Sequence, residues 1–175
     1  MLEWAEIDFE VYVKETDESH PADMTVDDIP VFIAKNKALA IKDELKGEHI
    51  ILAADTVVVL DEKIIGKPKD RQDAINISTD LSGNEHRVIT GVVLLNGTEE
   101  ISFSDTTKVI FHPLSHEQIC FYVDKYKPYD KAGAYAIQEW IGVIGIKSIE
   151  GDFYNVMGLP VGRVVNTLQR LRKTP

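Results

Sequence analysis

The stretch from Ile50 to Pro68 constrains the fold more than any other part of the sequence. It begins as the apolar run IILAA, and Asp55 and Thr56 then interrupt it just before four further hydrophobic residues. Burying a carboxylate without a partner is costly, so Asp55 requires a cation or several donors close by. The polar triplet DEK that follows predicts a tight turn, and the chain then returns through IIGKP. The pattern therefore predicts a β-hairpin with a charged group in its first arm.

Pairing of the two arms would bring Asp55 and Lys67 near the same end of the hairpin. An anionic group and a cationic group at the mouth of a buried sheet suit a metal-bound phosphate ligand. The same two residues could instead form a structural ion pair that closes the sheet. The segment by itself leaves both interpretations open.

A helix is predicted from Ile29 to about Leu45, and its apolar stripe includes one lysine. Lys37 lies four residues from both Ile33 and Ile41, on the same face. Such a lysine either extends its stem towards solvent or meets a buried anion. We expect Lys37, Lys67 and Asp55 to converge on one cleft, with Asp55 largely buried at a strand end.

The remaining pattern alternates between short helices and antiparallel hairpins. This order predicts an α/β fold with a mixed twisted sheet and flanking helices, arranged as one domain or as two lobes sharing the sheet. The predicted elements are a short strand Phe9–Val13, an acidic loop at 16–19, a helix after Asp70, a strand His86–Leu95 with its return strand Ile101–Phe111, a helix capped by Ser115 and Gln118 that runs to about Tyr126, a strand Val143–Ile149, and a helix with its stripe from Val161 to Leu171.

The composition narrows the class of protein. Hydrophobic residues make up 44% of the 175 residues, and the formal net charge is −10, which disfavours nucleic acid or an anionic membrane as the main partner. No apolar run approaches the ~18 residues of a membrane span, and no secretory leader is visible. The single cysteine, Cys120, lies in a helical apolar pattern and is expected to be inert. These features predict a cytoplasmic protein. They leave open whether the protein forms a homodimer.

The candidate chemistry is a set of carboxylates and lysines. Asp55 and Glu18 offer hard oxygen ligands suited to Mg²⁺, and Lys37, Lys67 and Lys131 offer charges suited to phosphates. No Walker-type phosphate loop and no serine–histidine arrangement is recognisable. Phosphoryl chemistry depends mainly on positioning and charge neutralisation, so this inventory fits phosphoanhydride hydrolysis better than acyl transfer.

The run DKAGAYAIQ could approach a flat ligand closely, because its small residues leave room for one. Gln138 at its end could read a base edge with its amide. A tight turn followed by an exposed glutamine is the alternative interpretation.

Taken together, these segments resemble the Maf family of nucleoside triphosphate pyrophosphatases. The likeness extends over nearly the whole chain in order, and the run from Asp130 to Tyr135 followed by Gln138 is similar to the branch that acts on dTTP and UTP. The matching residues are Asp17-Glu18, Lys37-Ala38, Ala54-Asp55-Thr56, Gly66-Lys67-Pro68, Leu81-Ser82-Gly83, His86, Val88, Thr90-Gly91, Asp130 to Tyr135, Gln138, Gly151 and Tyr154 to Pro160.

The resemblance implies one Maf-like domain over residues 1–175, with the two-lobed architecture of the inosine triphosphate pyrophosphatases and substrate between the lobes. It implies cleavage of a nucleoside triphosphate between its α and β phosphates with Mg²⁺, or alternatively Mn²⁺. Asp55 would hold the metal or act as base on the attacking water, and Glu18 would be a second carboxylate near the metal. Lys37 and Lys67 would neutralise phosphates.

The resemblance further implies that Thr56 and Gln138 contribute to base choice and that Lys131 contacts substrate. The pyrimidine nucleotides dTTP and UTP, modified ones included, are the expected substrates. A purine-type housecleaning pyrophosphatase is the alternative enzyme. A non-catalytic or impaired nucleotide-binding protein is the alternative from another class.

The alternative of a non-catalytic or impaired protein is suggested by the first residues of the sequence. The family's first strand and its Ser-x-Ser-Pro-Arg-Arg phosphate-binding loop have no counterpart here. Because arginines neutralise phosphates with a fixed fork that lysine does not reproduce, we expect these 175 residues alone to be less active and less stable than a chain that carries that segment.

Overall fold

The computed structural model describes residues 1–42, 44–45 and 49–171. The described residues form helices and strands around one sheet, which confirms the expected α/β class. The helices are α1 (Ile29–Lys42), α2 (Arg71–Leu81), α3 (His116–Tyr126), α4 (Trp140–Gly145), α5 (Phe153–Val156) and α6 (Val161–Leu171). The strands are β1 (Ile50–Leu60), β2 (Lys63–Ile65), β3 (Glu85–Asn96), β4 (Glu99–Phe111) and β5 (Ile146–Glu150), and short 3-10 turns cover Glu3–Ala5 and Ala132–Ala134.

The sheet has the order β2-β1-β3-β4-β5. The predicted hairpin is confirmed, because β1 and β2 pair antiparallel from Val58 opposite Ile65 to Leu60 opposite Lys63. Its turn residues Asp61 and Glu62 both have positive φ angles, 48° and 61°, as the common two-residue hairpin turn requires. The pairing of β4 with β5 is also antiparallel.

The chain divides into two compact units. The first unit contains Met1–Asp55, Thr90–Asp105 and Gly158–Pro175, and the second contains Thr56–Ile89 and Thr106–Met157. In the part of the chain that the structure describes, no helix combines the length and hydropathy of a membrane span.

Both faces of the sheet are covered in the first unit. Alternate residues of the strands belong to two different hydrophobic clusters: Val92 and Leu94 pack with α6, whereas Val93 and Leu95 pack with α1. Successive side chains of a strand point to opposite faces, so this division shows a helix on each side.

One predicted strand and two predicted element boundaries were wrong. Residues Phe9–Val13 form no strand in the described chain, and residues 9–12 instead line a groove of about 730 Å³ together with Ile50–Leu52. Helix α1 ends at Lys42 rather than near Leu45. The predicted strand Val143–Ile149 is the end of α4 followed by β5, because the ladder with β4 begins only at Ile146, opposite Phe111.

A glycine in β3 allows α1 to lie directly on the sheet. A Cβ at Gly91 would stand 2.2 Å from the backbone nitrogen of Val31 and 2.3 Å from the carbonyl carbon of Pro30. Backbone atoms cannot move aside as a flexible side chain can. The first turn of α1 therefore depends on the absence of a side chain at this position.

We expect Gly91→Ala to lower the free energy of unfolding by about 2 kcal/mol or more, because the added methyl group forces α1 off the strand. The matched control is Gly162→Ala in α6, where an added Cβ meets nothing within 4 Å. That change should raise stability by about 0.5–1 kcal/mol, since alanine is the better helix former. Urea denaturation measures both, and similar midpoints for the two variants would contradict this contact.

The core of the second unit contains a buried histidine. His86 is 2% exposed, and its Nε2 lies 2.8 Å from the hydroxyl oxygen of Tyr135. Its ring meets those of Phe111 and Tyr135 edge to face, with centroids 5.2 and 5.4 Å away. Burial lowers the pKa of His86 from 6.5 to about 4, so the ring is neutral at physiological pH.

This burial predicts a stability that falls in acid. Between pH 6.5 and about 4 the unfolded chain binds a proton at His86 that the folded chain excludes, so the free energy of unfolding decreases as the pH is lowered. The full loss is on the order of 3 kcal/mol. Urea denaturation from pH 7 to 4.5 should show a flatter pH dependence for His86→Gln than for the unsubstituted protein. Equal slopes would show that His86 does not titrate in this way.

Candidate active site

The alternation of β1 places Asp55 under α1. Odd-numbered residues Ile51 and Ala53 belong to the cluster that contains Ala34 and Ala38 of α1. Asp55 is the next residue of the same face, so its carboxylate points towards the helix and not towards α6. A charge in this layer requires an opposite charge from α1.

Lys37 supplies that charge. Its Nζ lies 2.6 Å from Asp55 Oδ1 and 2.8 Å from Glu18 Oε1. The Asp55 side chain is 14% exposed, that of Lys37 29% and that of Glu18 49%. The expectation that Asp55 is largely buried is confirmed, but its position at a strand end was wrong, because Asp55 lies in the middle of β1. Of the two fates open to Lys37, the structure shows the contact with an anion.

The electrostatics keep this lysine charged. Burial is the largest single influence on the pKa of Lys37 and lowers it, but the hydrogen bonds and charges of Asp55 and Glu18 together outweigh burial. The pKa of Lys37 is therefore raised above its ordinary value of 10.5. The site holds a permanent ammonium between two carboxylates.

The irregular segment before α1 positions Glu18. Asp17 accepts hydrogen bonds from the backbone nitrogen and the hydroxyl of Ser19, at 2.9 and 2.7 Å, which closes a turn around Glu18. Further back, Lys14 donates to the carbonyl of Ala40 at 2.8 Å and pairs with Glu44. The segment is thus fastened to α1 at Lys14 and again at Glu18.

The predicted lysines of the second unit lie in neighbouring loops. Lys67 is exposed, two residues beyond the end of β2, and Lys131 bonds to Asp130 at 3.1 and 3.2 Å. The two loops are joined because the nitrogen of Gly133 donates to the carbonyl of Gly66 at 3.2 Å. The hydrogen bond from Lys131 lowers the pKa of Asp130, and the charge of Lys67 contributes to the same direction.

Thr56 and Gln138 complete the predicted residues. Thr56 follows Asp55 directly in β1 and is half-buried, and Gln138 is exposed in the turn before α4. Asp55 and Lys37 belong to the first unit, whereas Lys67, Lys131, Thr56 and Gln138 belong to the second. The meeting of Lys37 and Asp55 is observed, and the convergence of Lys67 with them stays a prediction.

Sequence reasoning missed the residue that holds the segment around Gln138. The buried hydroxyl of Tyr122 on α3 accepts a hydrogen bond from the nitrogen of Ala136 at 3.1 Å and donates to Glu139 Oε2 at 2.5 Å. Burial is the main cause that raises the pKa of Tyr122, so its proton stays on the oxygen. The signal available in the sequence was a polar tip on an otherwise apolar helical stripe.

The donor set for a metal is small. Within the described ranges, no group of three or more histidine, cysteine, aspartate or glutamate side chains could hold an ion. Asp55 and Glu18 nevertheless converge on one point, since both bind the same ammonium. Two carboxylates fit Mg²⁺, which commonly takes one or two from the protein and its other ligands from water and substrate phosphates.

The comparisons with known proteins agree with one another on the family of this chain. Residues 1–171 match the family described as Maf-like protein. A protein of Cytophaga hutchinsonii is 44% identical over 171 residues, which cover 98% of this chain and 78% of that protein. Proteins of Bacteroides thetaiotaomicron (46% identical, 90% of this chain and 81% of the relative) and Parabacteroides distasonis (44%, with 97% and 88%) are similar as well. All three relatives are named dTTP/UTP pyrophosphatase.

Removing the central ammonium should destabilise the first unit. Lys37→Met leaves Asp55 and Glu18 facing each other in a partly buried site, and we expect a loss of about 1–3 kcal/mol after allowance for solvent screening. The matched control is Lys35→Met on the same helix. Lys35 pairs with Glu100 at 2.9 Å, and its side chain is 44% exposed, so the loss there should stay below about 0.5 kcal/mol.

Urea denaturation at pH 7 measures both changes. Because the folded pKa of Lys37 is raised, its contribution is fully present below pH 10.5 and is lost as the pH rises through the folded pKa. The difference between the unsubstituted protein and Lys37→Met should accordingly shrink only in strong alkali. If Lys35→Met and Lys37→Met lower the free energy of unfolding equally, the cluster of Lys37, Asp55 and Glu18 stabilises the fold no more than an exposed ion pair does.

Proposed function

Because this chain belongs to the Maf-like protein family, we propose that it is a nucleoside triphosphate pyrophosphatase that hydrolyses dTTP and UTP. The products are the nucleoside monophosphate and pyrophosphate. The names of its relatives support the substrate class. The observation that carries the proposal is the partly buried ammonium of Lys37 between the carboxylates of Asp55 and Glu18.

The charge of this cluster suits a metal-bound polyphosphate. Two carboxylates and one ammonium leave an excess negative charge, which attracts a divalent cation. Asp55 and Glu18 would hold Mg²⁺, or Mn²⁺ in its place. The bound ion would neutralise charge on the phosphate oxygens as the phosphoanhydride bond breaks.

The protein side chains then have separate tasks. Lys37 stays charged, and it orients Asp55 and offsets phosphate charge from a fixed position. Asp55 also has the chemistry of a general base, since a carboxylate within hydrogen-bond reach of a water can accept its proton. No covalent intermediate is needed, because positioning and electrostatic stabilisation supply most of the rate in phosphoryl transfer.

The other predicted residues would contact further parts of the nucleotide. We assign Lys67 and Lys131 to phosphate contacts, and Thr56 and Gln138 to the choice of base. The Gln138 side chain is exposed, so its amide is accessible to a ligand. An amide offers a donor and an acceptor together, as the edge of uracil or thymine does. A cytoplasmic location and assembly as a homodimer belong to the same proposal.

A nucleotide panel tests the proposal. The protein should release pyrophosphate and monophosphate from dTTP and UTP faster than from CTP, GTP or ATP in the presence of Mg²⁺, and a chelator should abolish the release. Asp55→Asn should lower kcat by at least ~10²-fold, which is the usual effect of removing one preorganised group.

Glu100→Gln is the matched control for Asp55→Asn. Glu100 is also paired with a lysine of α1, but at an exposed position, so its loss should leave kcat unchanged. A panel led by GTP or ATP would reject the pyrimidine assignment in favour of a purine-type enzyme. Nucleotide binding without release of pyrophosphate would instead support a non-catalytic binding protein.

A further inference from the structure

The buried His86 makes a contact that packing alone does not explain. Its Nε2 bonds to the Tyr135 hydroxyl, but its Nδ1, in the part of the chain described, has no hydrogen-bond partner. A buried polar atom without a partner is unfavourable, and a phenylalanine would fill a similar volume at no such cost. The histidine therefore contributes something other than hydrophobic packing.

Tyr135 is the residue that this histidine fixes. Tyr135 is 6% exposed, and its ring also packs edge to face on Phe111, with centroids 5.1 Å apart. The rings of His86 and Phe111 thus restrain Tyr135 sideways, and the hydrogen bond to His86 restrains its tip. The pair links the start of β3 to a segment 49 residues further along the chain.

The backbone just before Tyr135 is strained. Gly133 and Ala134 have φ angles of 70° and 55°, and a Cβ at Gly133 would meet Val58 at 2.9 Å. A left-handed alanine is unfavourable and persists only where its surroundings impose the conformation. The surroundings here are fixed contacts on either side of Ala134.

Those contacts follow one another along the segment. Gly133 donates to the carbonyl of Gly66, Tyr135 bonds to His86, and the Tyr122 hydroxyl holds both Ala136 and Glu139. Gln138 is the exposed residue between the last two contacts. Its backbone is thereby fixed while its amide stays accessible.

We propose that His86 is a positioning residue for base selection, which acts through Tyr135 on the segment 131–139 and thereby on the Gln138 amide. This inference rests on the proposed role of Gln138 in reading the base. A base-reading amide discriminates well only if it is held in place, because a mobile amide can adapt to the wrong base. The hydrogen bond between His86 and Tyr135 provides that restraint from within the core.

The test is a double-mutant cycle of His86→Phe, Tyr135→Phe and both together, with His86→Gln as the conservative variant. Each single phenylalanine leaves the other residue's buried polar group without its hydrogen-bond partner, which lowers stability. The double variant removes both polar groups, so its thermal midpoint should stay close to that of the unsubstituted protein. A glutamine amide can still bond to the Tyr135 hydroxyl, so His86→Gln should retain most of the function.

Two readouts separate positioning from mere stability. In the double variant, amide hydrogen exchange of residues 131–139 should accelerate about 10-fold while the strands of the sheet stay protected. The ratio of kcat/KM for UTP over CTP should fall by a similar factor in the double variant, whereas His86→Gln, which keeps the Tyr135 hydroxyl, should retain it. A stable double variant with unchanged exchange in this segment, or with an unchanged ratio, would overturn the proposal.

Gln138→Ala distinguishes this proposal from the one on which it rests. If Gln138→Ala lowers the UTP-over-CTP ratio and the double variant does not, the positioning role of His86 is wrong although Gln138 reads the base. If Gln138→Ala leaves the ratio unchanged, the base-reading role of Gln138 fails, and with it the link from His86 to selectivity. Absence of any pyrophosphate release by the unsubstituted protein would reject the enzyme assignment itself.

Discussion

The contact between the Lys37 ammonium and the Asp55 carboxylate determines how the first unit is arranged. The strand around Asp55 is covered on both faces, so its even-numbered residues face α6 and its odd-numbered residues face α1. A carboxylate in the second set can be accommodated only if α1 presents a cation at the same level. A shift of the strand by one residue would turn Asp55 towards the apolar face of α6, which makes the register strict.

Such a pair stabilises the fold only modestly, because both ions lose hydration when they are partly buried. Its larger effect is specificity, since it selects one rotation of α1 about its axis and one register of β1. Glu18 adds a second carboxylate from a segment without regular structure, so that segment also acquires a defined place. Structural and chemical roles coincide in the same side chains: the groups that fix the helix on the strand are those proposed to meet the metal-bound phosphate.

Two members of the charged centre, Asp55 and Lys37, could be predicted because each interrupts an apolar pattern. Asp55 stands in a hydrophobic strand and Lys37 on a hydrophobic helical stripe, and both signals are local. The capping box of α3 was likewise predictable, because Ser115 and Gln118 bond reciprocally within one turn. Phe9–Val13 had the composition of a strand, but a strand requires a partner, and pairing between distant segments leaves no local trace. The restraints on the segment 131–139 were hidden for the same reason, since Tyr122 and His86 lie 14 and 49 residues from the groups that they bind.

The second unit shows how the backbone of an exposed residue can be held by the buried residues around it in the chain. Gln138 is exposed, whereas the residues just before it in the chain are buried from Gly133 to Ile137. Small residues let the segment lie against β1 and accept left-handed backbone angles. The Tyr122 hydroxyl binds its backbone at Ala136, and His86 binds its Tyr135 side chain. An amide held in this way loses little conformational entropy when it binds a base, so more of the free energy of each hydrogen bond contributes to discrimination between bases. The unsatisfied nitrogen of His86 is consistent with this arrangement, because an apolar side chain at that position could pack against the Tyr135 ring but could not hold its hydroxyl.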